Sequence, residues 1–232
     1  MWSEGSTDHP HLRPTQKSGV DVALELIRSN PARSITYVVL GPLTNLAWMM
    51  RSDGDLVRSK IGRIVCMGGA LDVPGNTSPV AECMQFFHLT NLIVNGTPQV
   101  NFFADPYAVK ELLMPSEPHT GLPLDRFILL PLDITTPHDL PFPFYREKVD
   151  PAFNSTTAPS VGTSKPPLTH FTSSFLERTR EVMLEFGKDA MELHDIVAVW
   201  CAIENPPLVQ DADADTLALG WKARRRIFEI ER

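Results

Sequence analysis

Ile64-Val-Cys-Met-Gly-Gly-Ala-Leu-Asp-Val-Pro-Gly-Asn-Thr-Ser-Pro-Val-Ala-Glu82 is the stretch whose reading decides the fold. It starts as a short apolar run, Ile64 to Met67, and breaks at Gly68-Gly69 into a polar loop holding Gly75, Asn76 and Glu82. A buried strand that stops in glycines and polar side chains is how an α/β protein builds a pocket, because ligands bind beyond the carboxyl ends of its strands. Glycines let backbone approach a ligand, and Asn76 and Glu82 can hold hydroxyl groups. An ordinary strand-to-loop exit has the same appearance.

Working outward, the spacing predicts a helix over Gln16 to Asn30, with Val20, Ala23, Leu24 and Ile27 in one apolar stripe and Pro31 after it. Ile35 to Leu40 is short, apolar and rich in β-branched residues, hence a buried strand. Gly41-Pro42 turns the chain into a short helix from Leu43 to Met50. Ile61 to Met67 is the next strand. Downstream, Asp105-Pro106 caps a helix carrying Tyr107, Val109, Leu112 and Leu113. Phe127 to Leu130 is a third buried strand, running into Pro131 to Thr135. Residues 136–167 hold many prolines, serines and threonines and read as one long loop. Helices follow at His170 to Phe186, with Phe171, Phe175, Val182 and Phe186 on one face, and at Ala190 to Ile203. Ala218 to Ile230 alternates loosely, as a strand would. Strand alternating with helix implies an open, mostly parallel sheet flanked by helices, in one Rossmann-like α/β domain.

Composition narrows the function classes. A chain of 232 residues buries about 70% of its unfolded surface, enough for one core. A net charge of −7 without a long basic run argues against a nucleic-acid surface, and Arg224-Arg225-Arg226 reads as a solvated face. Cys66, Cys83 and Cys201 are too scattered for a disulfide framework or a CxxC metal site, which suits a reducing compartment. No apolar run reaches the length of about 18 residues that spans a membrane. The first residues lack a signal-peptide pattern, so the expectation is a cytoplasmic protein. Asp8-His9-Pro10-His11 and Asp211-Ala-Asp-Ala-Asp215 invite metal readings. Polar surface explains the first, and the second has Thr216 where an EF-hand loop needs glycine and Lys222 where it needs glutamate.

Two further groups can carry chemistry. Gly41-Pro-Leu-Thr-Asn45 leaves the Leu40 carbonyl free at a strand tip, where it could serve a hard cation. His194-Asp195 opens an apolar helix, where His is usually packed and Asp favours the helix dipole.

Together these motifs resemble the inosine–uridine-preferring nucleoside hydrolases: Gly-Pro-Leu-Thr-Asn-Leu-Ala at 41–47, Met-Gly-Gly-Ala and Gly-Asn-x-x-Pro-x-Ala-Glu at 67–82, Asn101 to Pro106, Pro131 to Thr135 and His194 to Val199. The resemblance implies hydrolysis of the N-glycosidic bond of a ribonucleoside, with calcium as cofactor. It implies that the main-chain carbonyl of Leu40 and the Asp195 carboxylate face that calcium, and that Met67, Asn76, Glu82 and Asn101 surround the ribose. His194 then faces the leaving base as its acid. The implied partner is a small-molecule ribonucleoside, with no nucleic acid and no membrane, and self-association is left open.

The chain also departs from the family pattern. Ile196 replaces the proline that follows His-Asp. The family's N-terminal Asp-x-Asp-x-x-x-Asp-Asp is absent, as is its further C-terminal strand and helix, so the expectation is an incomplete domain with an incomplete calcium site. Residues 83–100 read as an insertion of about 17 residues inside the ribose motif. Its ends allow codons with splice signals that would restore Phe between Glu82 and Asn101. Transcripts that all keep these bases would refute a retained intron. The alternatives are therefore a catalytically inactive truncated product, or an α/β domain that binds a small molecule without turnover. No Walker or GxGxxG loop points to nucleotide phosphates.

Overall fold

The computed structural model describes residues 15–73, 75–76, 100–117, 119–153, 165–207 and 217–225. Asp8 to His11, Glu82, nearly all of the 83–100 insertion and the acidic run at 211–215 lie outside them.

Three strands, β1 (Ile35–Val39), β2 (Ile61–Met67) and β3 (Phe127–Leu130), form a parallel sheet in the order β1-β2-β3. All seven residues of β2 are buried, as a central parallel strand requires. Alternation along Ile64–Met67 divides the strand between two cores. Ile64 and Cys66, with Ile61 across a register shift in the β1–β2 pairing, join the core with α1 (Gly19–Ser29), α2 (Thr44–Lys60) and α4 (Pro106–Leu113). Val65 and Met67 face the other, against Ala198 and Cys201 of α8 (His194–Glu204). Helices on both faces of a parallel sheet give the α/β architecture expected from the sequence.

Local chemistry starts and stops these helices. Ser18 caps α1 by accepting from the Asp21 amide at 3.1 Å. Leu24 and Ile27 of its stripe are buried, worth roughly 2 kcal/mol each by area removed from water. The helix expected over 43–50 continues to Lys60, with a break at Asp53 (φ −156°, ψ 68°). The Asp53 carboxylate accepts from the Leu56 amide at 3.1 Å and so restarts the helix as a new cap.

Three other expectations change. The proline-rich stretch 136–167 is not one loop: it contains β4 (Asp139–Pro141), α6 (Phe142–Lys148) and the start of α7 (Pro167–Glu185). The helix expected from Ala190 begins only at His194, because Ala190–Glu192 forms β5, paired antiparallel with β4. The described part of the Ala218–Ile230 strand, up to Arg225, is turn and irregular chain. On α7, Phe171 and Phe175 are exposed, as is Phe186 just after it, while Ser173, Leu176 and Glu177 are buried. Leu176 joins Phe142, Tyr145 and Phe153 in a small third core beneath the β4–β5 ribbon. Among the described residues no helix is long and apolar enough to cross a membrane.

Candidate active site

The rim at the carboxyl end of the sheet is built by backbone first. Past Met67, the Gly68 amide donates to the Leu130 carbonyl at 3.2 Å and the Leu132 amide to the Gly69 carbonyl at 3.0 Å, so β2 and β3 stay joined beyond their last paired residues. Gly69 has φ +78°, where a side chain would be strained. A Cβ on Gly68 would lie 2.4 Å from the Phe102 ring. The turn can therefore form only with small residues.

Asp133 fixes the loop that follows. Its two carboxylate oxygens accept from the Leu71 and Asp72 amides at 2.8 and 2.6 Å. Sequence reasoning gave Asp133 no role, although a carboxylate just past a buried strand was the available signal.

The sugar-site candidates meet at this rim. Asn101 stands on α3 (Val100–Ala104), and its amide nitrogen donates to the Met67 carbonyl at 3.0 Å and reaches the Leu40 carbonyl at 3.4 Å. The same nitrogen lies 3.3 Å from the Met67 sulfur. One residue thus ties the tips of β1 and β2. Asn76 joins from the loop after β2, its side-chain oxygen accepting from the Val100 amide at 3.2 Å. Beneath them Thr44 donates to Asp105 at 2.5 Å, and Asp105 also caps α4 through the Ala108 amide at 3.0 Å. The starts of α2 and α4 are held together under the rim.

His194 reaches the same end of the sheet from the other face. Helix α8 runs against the strand direction: its last turn lies beside Arg63, low on β2, through Asn205, and its first turn meets Thr135, just past β3. His194 Nδ1 is 2.8 Å from the Thr135 hydroxyl, and Nε2 is 2.9 Å from Glu192. Lys188 donates to Glu192 at 3.0 Å and lies 3.6 Å from Asp139. Burial would push the Glu192 carboxyl up, but hydrogen bonds from Lys188 and His194 outweigh it and hold it below the ordinary value. Glu192 is therefore an acceptor, and the His194 Nε2–H donates to it. Glu192 and Lys188 are site neighbours that sequence reasoning missed, because β5 was read as helix.

Asp195 is exposed in the first turn of α8, yet partial desolvation raises its carboxyl above the usual range, with His194 opposing. Its carboxylate and the Leu40 carbonyl are both acceptors and cannot bond to each other directly. Nor do the described residues gather three or more His, Cys, Asp or Glu groups suited to a metal. One carboxylate and one carbonyl already approached by an amide nitrogen do not fit calcium, which takes six to eight oxygens.

Fold and rim define an α/β protein whose parallel sheet ends in polar side chains at its carboxyl edge. The profile of the family described as "Inosine-uridine preferring nucleoside hydrolase" matches residues 3–225, and the chain belongs to that family. A pyrimidine-specific ribonucleoside hydrolase of Shewanella sp. (strain MR-4) is 35% identical over 116 residues, 50% of this chain and 30% of that protein. A probable uridine nucleosidase of Arabidopsis thaliana is 40% identical over 77 residues, 33% of this chain and 23% of that protein. The solved structure of a plant nucleoside hydrolase superposes with a TM-score of 0.55 at 23% identity, covering 83% of this chain and 48% of that one. The chain spans at most about half the length of these relatives.

Proposed function

We propose that this fold serves hydrolysis of the N-glycosidic bond of a ribonucleoside, purine or pyrimidine, to free base and ribose, and that this chain carries the sugar-holding part of the site. The observation that supports it most is Asn101 bridging the β1 and β2 tips, with Asn76 one hydrogen bond away. In this reading Asn76, Asn101 and Glu82 hold the ribose hydroxyls, and Met67 packs beside the ring. As the bond from C1′ to the base breaks, positive charge grows on the sugar. His194 is the residue assigned to protonate the departing base; both its ring nitrogens are held, by Glu192 and Thr135, so one of these bonds opens before the proton is delivered. The cytoplasm is the compartment that suits its unpaired thiols.

Calcium belongs to the reaction that the resemblance implies. The described residues contribute toward it only the Leu40 carbonyl and Asp195, so no step is assigned to it here. That donor set supports a second reading of these 232 residues taken alone: nucleoside binding without turnover. A ribose-release assay with inosine and uridine, with calcium and with chelator, separates the two. The expected result is no release in either condition, with inosine or uridine still binding by calorimetry. Calcium-dependent release overturns the lack of turnover, and absence of nucleoside binding overturns the sugar site.

A further inference from the structure

Two strand-tip carbonyls, those of Leu40 and Met67, face the same side-chain nitrogen. Carbonyl oxygens accept and cannot donate, so a group between them must bring N–H or O–H hydrogens, or a positive charge. A carboxamide nitrogen has two hydrogens, one for each carbonyl. The opposite orientation would set the Asn101 oxygen against two carbonyl oxygens, which only a cation between them could relieve.

Asn101 is also held on both sides. The Val100 amide before it donates to Asn76. Phe102 after it is 6% exposed and packs on Gly68 and Gly69. The side chain is thereby aimed from a fixed backbone, and the glycines that admit Phe102 are the same two that end β2.

We infer that the Asn101 amide nitrogen is the resident group of the cradle formed by the Leu40 and Met67 carbonyls, so this rim takes an N–H donor and not a divalent cation. A cation at this point would meet neutral oxygens from Leu40, Met67 and a reversed Asn101, with Asp195 the one carboxylate that the family resemblance adds, and calcium affinity falls as charged ligands become fewer. The inference uses the rim geometry alone and does not depend on turnover.

Calorimetric titration of the 232-residue chain with calcium chloride tests it, without substrate. The expected result is no saturable binding tighter than about 1 mM, in the weakest range of protein calcium sites. One-to-one binding at micromolar calcium overturns it. Asn101→Asp gives the converse result: a carboxylate facing two carbonyls melts lower than wild type in chelator and regains its melting temperature in calcium. A variant that melts like wild type in chelator overturns the inference, because residue 101 then does not face the carbonyls. Should Asn101→Asp fail to fold, nitrogen-15 spectra of the wild type decide. The Asn101 side-chain amide pair stays unshifted on adding calcium if the inference holds, and shifts if a cation displaces it. A chain that binds neither calcium nor nucleoside defeats the sugar site and leaves the cradle assignment standing.

Discussion

The two ends of α8 both use polar side chains, and they use them differently. At the C-terminal end Asn205 is 1% exposed. Its side chain accepts from the Ala218 amide at 2.8 Å and donates to the Cys201 carbonyl at 2.9 Å, while its carbonyl accepts from Arg63 at 3.1 Å. Arg63 is 2% exposed, and burial pushes its guanidinium pKa down. Nearly every partner here is main chain, which offers little to exchange with, and the Arg63 Nε is buried with no hydrogen-bond partner among the described residues. At the N-terminal end His194, Glu192 and Lys188 are only partly buried and bond mostly to other side chains. Side-chain partners that water can reach can re-pair when a ligand arrives. The low end of the sheet is therefore held mostly by main-chain partners, and the rim by side-chain partners that can exchange.

Breaking the buried end should have the larger effect. Asn205→Ala strands the Ala218 amide and removes the bond to Cys201. It is expected to lower unfolding free energy by about 3 kcal/mol, at the upper end for a buried unsatisfied pair of groups. Urea denaturation measures this, and a loss below about 1 kcal/mol would remove the contrast between the two ends.

At the rim, Glu192→Gln keeps the shape and loses the charge. The Glu192 carboxyl is depressed in the folded chain. Its stabilisation is thus fully present above the ordinary glutamate value of about 4.3 and lost as pH falls through the lower folded value. The variant should be about 0.5–1 kcal/mol less stable at pH 7, a figure reduced for solvent screening, and equal to wild type in strong acid. Urea curves at the two pH values check it. A deficit unchanged in acid would mean packing, and not charge, holds the rim together.

Asp195→Asn should do least. The raised Asp195 carboxyl makes its charged form mildly unfavourable once pH exceeds both its folded and unfolded values, whereas its place at a helix start favours negative charge. These oppose, and the net change at pH 7 is expected to stay within about 0.5 kcal/mol. A loss above about 1.5 kcal/mol would show that Asp195 has a firm cationic partner.

Much of the sheet was legible along the chain. Ile64–Met67 and Phe127–Leu130 are short apolar runs, the pattern of strands packed within a parallel sheet; β2 is buried throughout, whereas β3 is half-buried except at Leu130. Gly68-Gly69 marked the end of β2, and Asp105-Pro106 marked the start of α4. The helix expected over Leu43 to Met50 was read too short: Asp53 breaks it and its carboxylate caps the restart, so the helix runs on to Lys60. The β4–β5 ribbon was not legible. Three residues are too few to show a period, and each strand exists only because the other pairs with it across about fifty residues. The exposed phenylalanines of α7 show the limit of the apolar stripe as a guide to burial.

The sequence alone determined the parallel sheet, its glycine-ended central strand and the family, because each is written in contiguous residues. Only tertiary structure decided what Asn101 and Asp133 touch. Hydrogen bonds between segments 30 to 60 residues apart depend on where chain folding brings their ends, and no local pattern encodes that meeting.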